Sequence, residues 1–141
     1  MKNDTLYRGT IYKEQFRIFA VESTQTVQRA RDLHDLSPLA SILTGRLLTA
    51  AALMSGELKA PRSELSIRVE GDGALKGAIA LANKAGDLKA YAFEPKIWLE
   101  PAAENLQVGK HLGKGLLTIM KQSGLKAPYT GNIELVSGEI A

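Results

Sequence analysis

The sequence predicts an α+β domain, mainly antiparallel β-sheet packed around one central apolar helix. Three observations carry this expectation. SPLASILTGRLLTAAALMSG, Ser37 to Gly56, is apolar around most of a helical circumference and must be covered on several sides. Leu65, Ile67 and Val69 alternate with Ser66, Arg68 and Glu70, the period of a strand with one wet face. Other strand-like runs flank these two segments, separated by Gly, Asn and Asp turn residues, and their sum is a layered α+β arrangement.

At the start of the chain, Leu6 to Ile11 and Phe16 to Val21 are rich in aromatic and β-branched residues and form a hairpin through a turn at Tyr12 to Gln15. Phe16, Ile18 and Ala20 then share one face. Ser23 or Thr24 can cap a short helix running to about His34, with Val27, Ala30 and Leu33 as its buried side. In the central helix Ser37 is the N-cap, Pro38 takes the first position, where its missing N–H costs nothing, and Gly56 terminates. Leu39, Ile42, Leu43, Leu47, Ala50, Ala51 and Met54 make the apolar stripe, which Leu48, Ala52 and Leu53 widen. Ala40, Ser41, Gly45 and Ala50 are small enough for a neighbour to approach the backbone, and Arg46 is the single charge, buried or snorkelling.

GDG at Gly71 to Gly73 ends the alternating strand in a turn. Leu75 to Ala82 is alanine-rich enough for a helix, yet Gly77 and the flanking turns favour a strand, pairing through Asn83 to Asp87 with Leu88 to Phe93. Pro95 and Pro101 bracket an irregular segment containing Ile97, Trp98 and Leu99. Leu116 to Met120 and Tyr129 to Val136 read as two more strands. Ser137 followed by Glu139 has the chemistry of a helix opening, a side-chain oxygen for free amides and then a carboxylate in the first turn.

At 141 residues the chain is one domain by length, able to bury about two thirds of the surface its unfolded form exposes. It contains no cysteine, which excludes disulfides and thiolate metal sites within these residues. Met1 to Thr10 lacks the apolar stretch of a secretory signal, so a cytoplasmic protein is expected. Leu39 to Met54 is shorter than the roughly 20 residues of a membrane span and contains Arg46, which argues against a membrane partner. The net charge of +3 comes from bases scattered among acids, which argues only weakly for nucleic acid.

Several motifs almost fit a chemistry. GKHLGKG, Gly109 to Gly115, resembles a phosphate-binding loop but has three residues between its glycines where that loop has four, and Gly115 where it has Ser or Thr. GDGALKG, Gly71 to Gly77, loosely resembles a dinucleotide fingerprint but leads into a strand, leaving no helix N-terminus for a pyrophosphate. Turn glycines explain both. His34 and His111 are the only histidines, and His34 is better suited to capping helix-end carbonyls than to binding metal. The helices around HDLSP are spaced like a helix-turn-helix reader, but the second is nearly all apolar where base edges need polar side chains. No serine sits in a nucleophile elbow and no carboxylate pair is spaced for acid/base work, so no enzyme is expected. Tyr91, Phe93, Ile97 and Trp98 lie close in sequence; singly each belongs in a core, whereas a cluster on a sheet face would mark a partner.

ARDLHDLSPLASILTGRLLTAAALM, EGDG and GLLTIMKQSGLKAPYTGNIELVSGEIA together resemble the N-terminal lobe of the redox-regulated heat-shock holdase family, the 33 kDa chaperonins. The resemblance rests on Arg31, His34, Leu36, Ser37 and Pro38, on Gly45, Arg46 and Thr49 to Ala51, on Gly71 to Gly73, and on Gly124 to Lys126 and Pro128 to Gly131 leading into LVSGEIA. It weakens between Glu94 and Lys110, where Glu100 to Ala102 departs from the family's usual LPLN-like run. It implies an ATP-independent chaperone that holds unfolded or misfolded proteins, a homodimer, and the family's N-terminal-domain fold. The family also binds zinc through four C-terminal cysteines, and its pattern continues past SGEIA into a helix, more of the core lobe, a linker and that zinc domain. This chain carries only the first part, so the cofactor expectation is none and any holdase activity is expected to be free of the redox switch. Tyr91, Phe93, Ile97 and Trp98 are the candidate client-binding surface. The alternatives are a small-ligand or anion-binding domain using Gly109 to Gly115, and an inactive scaffold of the same fold.

Overall fold

The structure, a computed structural model, describes residues 3–98, 106–124 and 127–139. Leu99 and Pro101, the departure at Glu100 to Ala102, Leu125, Lys126 and the final Ile140 and Ala141 lie outside them.

β1 (Leu6–Ile11) and β2 (Phe16–Val21) form the expected hairpin, in register from Leu6 opposite Val21 to Ile11 opposite Phe16. Opposed residues share a face, so Tyr7, Gly9, Ile11, Phe16, Ile18 and Ala20 line one side and Leu6, Arg8, Thr10, Arg17, Phe19 and Val21 the other. The second side turns inward: Arg17 pairs with Glu57 at 2.8 Å, and the Phe19 ring lies where a Gly56 side chain would be. Tyr7, Ile11, Phe16 and Ile18 are left in solvent. In the turn Tyr12, Lys13 and Glu14 all have positive φ (52°, 51° and 68°) without a glycine among them. Each side chain in that region costs about 1–2 kcal/mol. Glu14→Gly is therefore expected to raise stability by about 1 kcal/mol, read as a higher urea midpoint at unchanged slope; a lower midpoint would contradict the turn geometry.

α1 (Thr24–His34) and α2 (Pro38–Ser55) follow. Ser23 holds the N-cap position of α1, but its hydroxyl is spent on Thr49 Oγ1 at 2.8 Å. Asp4 caps instead, accepting from Gln25 N–H (3.1 Å) and Thr26 N–H (2.6 Å). Leu33, expected on the buried side, is 70% exposed, and α1 buries no residue fully; Val27 and Ala30 are half-buried. Its C-terminus closes through Asp35 at φ 45°, whose N–H donates to Arg31 O, while Lys96 Nζ donates to Asp35 O at 2.6 Å. No hydrogen bond from the His34 ring is found among the described residues, so the capping expected of His34 is done by backbone and Lys96.

Ser37 and Pro38 open α2 as the sequence suggests, yet Ser37 Oγ is buried without a partner and makes no cap bond. Gly45 is where α1 crosses: a Cβ there would stand 2.8 Å from Val27 Cγ1. Gly56 ends α2 with φ −60°, right-handed, so its value is the room it leaves for Phe19 and not a left-handed turn. By length and composition α2 could cross a membrane, and more than half of it is buried inside the fold.

β3 (Glu64–Gly71), β4 (Gly77–Asn83), β5 (Leu88–Ala92), β6 (Gly115–Gln122) and β7 (Tyr129–Glu134) make one antiparallel sheet in the order β5-β4-β3-β6-β7. The alanine-rich segment is the strand β4 because Ala78, Ala80 and Ala82 all face inward, where short side chains let α2 close onto the sheet. Leu65, Ile67, Val69, Ala90 and Ala92 complete that floor beneath Leu39, Leu43 and Leu47. α2 packs over β4, β5 and β3. The inner face of β6 and β7 is less covered: Leu117 and Ile119 are half-buried, Tyr129 and Ile133 exposed.

Candidate functional site

The two glycine-rich stretches that resemble nucleotide loops form one structure by packing on each other. Asp72 N–H donates to Lys114 O (2.9 Å), Gly73 N–H to Leu112 O (2.8 Å) and Leu75 N–H to His111 O (2.9 Å). A Cβ on Gly71 would stand 2.0 Å from Leu112 O, so the glycines permit backbone to touch backbone. The second stretch opens in α3 (Val108–Leu112), a five-residue helix absent from the sequence expectations. Two amides a phosphate would need are already used by carboxylates of the chain: Lys114 N–H donates to Asp72 (2.8 Å) and Gly109 N–H to Glu139 (2.6 Å). The anion seat at Gly109 to Gly115 is thus filled from within.

Glu139 caps α3 from a distance, and its second oxygen accepts from Arg46 Nη1 at 2.7 Å; whatever follows it lies outside the described residues. Arg46 is half of an ion pair, with 38% of its side chain exposed, and so is not fully buried. The Gly109 amide, then Arg46, hold the Glu139 carboxyl below its ordinary 4.5. At Asp4 partial desolvation pushes upward, but the Thr26 and Gln25 amides outweigh it and leave the carboxyl below 3.8. Both folded-state values are depressed, so the stability these groups add is whole above the ordinary carboxylate range and is lost as pH falls through the lowered values. Thermal midpoints should hold from neutrality to about pH 5 and then decline. Glu139→Gln should cost about 1 kcal/mol at pH 7 and shrink that acid decline. An unchanged acid slope in the variant would refute the capping role.

Of the candidate surface residues, Tyr91 and Phe93 come together on the outer face at β5, ring centroids 5.6 Å apart. The Arg68 guanidinium lies 5.0 Å from the centre of the Phe93 ring, and Ile79 stands opposite Tyr91 on β4. Tyr91 is half exposed and Trp98 is 72% exposed, while Ile97 packs inward against the core and so does not join an exposed cluster. Pro95 O accepts from Ser37 N–H (2.8 Å), tying this segment to the start of α2. The sequence reading missed the largest display of apolar side chains, the outer hairpin face of Tyr7, Ile11, Phe16 and Ile18. Its signal was the alternation on both strands, which says that these residues share a side but not that nothing covers it.

The geometry defines an α+β lobe with a greasy helix enclosed on its sheet side and apolar residues displayed on open β faces. The sequence pattern of the family described as Hsp33 protein matches residues 4–141. The 33 kDa chaperonin of Desulforamulus reducens is 47% identical over 139 residues, 98% of this chain and 47% of its own length. That of Carboxydothermus hydrogenoformans is 44% identical over 140 residues, 99% of this chain and 49% of its own. The crystal structure of the 33 kDa chaperonin of Thermotoga maritima matches with a TM-score of 0.88 at 31% identity, covering 96% of this chain and 47% of that one. The chain belongs to the Hsp33 family and spans about half the length of the curated relatives it matches. The resemblance brings a thiolate zinc site into question, and the residues present do not fit one: the sequence has no cysteine, and no three His, Asp or Glu side chains cluster for a metal among the described residues.

Proposed function

We propose that this chain is the core of an ATP-independent holdase, a cytoplasmic protein that keeps unfolded polypeptides from aggregating by lending them apolar surface. The observation that carries the reading is the set of exposed aromatic and aliphatic side chains on open β faces. Relatives named 33 kDa chaperonins support the same reading. Tyr91, Phe93 and Trp98 are proposed as client contacts together with the hairpin face of Tyr7, Ile11, Phe16 and Ile18. With no thiol in these residues, activity does not depend on oxidation.

The test is light scattering from a heat-denatured client mixed with the protein in the absence of ATP. Suppression should rise toward stoichiometric protein and stay the same with peroxide or a chelator. Phe16→Ser with Ile18→Ser should weaken suppression while far-UV circular dichroism stays unchanged. Scattering unaffected by a stoichiometric excess of the folded protein would end the reading.

A further inference from the structure

Asp72 is the only aspartate in the chain that precedes a glycine, and no asparagine does. At such a bond the glycine amide nitrogen can attack the aspartate side-chain carboxyl, because a glycine without a Cβ neither shields its nitrogen nor restricts the turn. The Gly73 N–Asp72 Cγ bond forms, the amide proton and the carboxyl hydroxyl leave together as water, and a cyclic imide closes. Water then adds back at either carbonyl. Addition at Cγ restores aspartate. Addition at the Asp72 main-chain carbonyl breaks its bond to Gly73 N and leaves isoaspartate, with the chain running through Cβ and Cγ. No atom is gained or lost overall, and water is the only co-reactant.

The fold holds both reacting groups in other bonds. Gly73 N–H donates to Leu112 O (2.8 Å), and Asp72 Oδ1 accepts from Lys114 N–H (2.8 Å). Gly113 lies against the pair: a Cβ there would stand 2.1 Å from Asp72 Oδ1 and 2.9 Å from Gly73 N, so the second loop covers the atoms between which the new bond must form. Leu112, fully buried, anchors that loop in the core. Each of these contacts joins the turn after β3 to the turn before β6, so ring closure requires the two loops to part. Isoaspartate then inserts an extra backbone carbon between Asp72 and Gly73. The bonds from Asp72 N–H to Lys114 O (2.9 Å) and from Gly73 N–H to Leu112 O depend on the ordinary spacing of consecutive residues, and the longer link cannot serve both. We propose that Asp72–Gly73 is a covalent modification site that the paired glycine loops keep closed, and that its conversion to isoaspartate, once the loops have opened, prevents them from closing again.

The proposal does not rest on the holdase reading, and its test contains no client. The intact 141-residue chain is incubated at neutral pH and one temperature, folded in buffer and unfolded in urea. The tryptic peptide from Val69 to Lys76 is then separated by chromatography into its aspartate and isoaspartate forms. Isoaspartate at position 72 should accumulate at least about tenfold more slowly in the folded chain, because only the open fraction reacts. In the unfolded chain it should outpace any formed at Asp4, Asp32, Asp35 and Asp87, none of which precedes glycine. Leu112→Ala loosens the covering loop and should raise the folded rate by about threefold or more while leaving the unfolded rate alone. Should that variant fail to fold, the parent chain decides the matter by itself. Refolded isoaspartate protein should exchange its Gly73 and Leu75 amides faster than the parent. Equal folded and unfolded rates, no preference for Asp72 in the unfolded chain, a folded Leu112→Ala chain no faster than its parent, or parental exchange in the isoaspartate protein would each overturn the proposal.

Discussion

Gly115→Ala is expected to leave little folded protein. The added Cβ would stand 1.7 Å from Glu70 O and 2.7 Å from Gly71 Cα, and neither is the end of a flexible side chain that could swing aside. Gly115 opposes Gly71 at the point where β3 and β6 enter the double glycine loop, so relief requires the two strands to separate there. A cost of about 3 kcal/mol or more is expected, a large share of the roughly 5–15 kcal/mol that holds a domain together. Gly9→Ala is the control, because nothing lies within 4 Å of the new methyl group, and it should change stability by no more than about 0.5 kcal/mol. Denaturant midpoints for the pair decide the matter: a Gly115→Ala protein as stable as its parent would show that the loops do not pack as described.

The second large effect belongs to α2. Leu43 has no exposed surface and sits in the core with Leu39 and Leu47, so Leu43→Ala should cost about 2–5 kcal/mol through lost burial and the cavity left behind. Leu33→Ala, at a leucine the helical pattern of α1 places on its apolar side, should cost far less because Leu33 is already in solvent. Comparable losses in the two variants, by urea or by heat, would mean that α1 is packed down and α2 is not the centre.

Much of this architecture was legible before any coordinates. Alternation at Leu65 to Glu70 located β3, Ser37-Pro38 and Gly56 bounded α2, and the turn at Asn83 to Asp87 justified reading Leu75 to Ala82 as a strand in spite of its alanines. What could not be read were the places where distant residues replace local ones. Ser23 looks like the cap of α1 because capping is usually local, but Asp4 reaches the same amides with a full charge. The bonds of Glu139 to Gly109 and Arg46 gave no local signal because both partners are far away in sequence. Leu33 fits the apolar period of α1, and period alone does not say how deeply a short helix is pressed into its neighbour. The same limit applied to the surface: proximity in sequence grouped Ile97 with Tyr91 and Phe93, and the fold turned it inward.

The place of β3 in the sheet bears on how the protein is made. This strand is hydrogen-bonded to β4 on one side and to β6 on the other, so the floor under α2 closes at residue 92 while the other side of β3 stays unpaired until residue 122 has been synthesised. At roughly 5–20 residues per second, α2 leaves the ribosome several seconds before β3 has both of its neighbours. For that interval the growing chain carries an unpaired strand edge beside an apolar helix, the kind of surface that makes half-made polypeptides prone to aggregate.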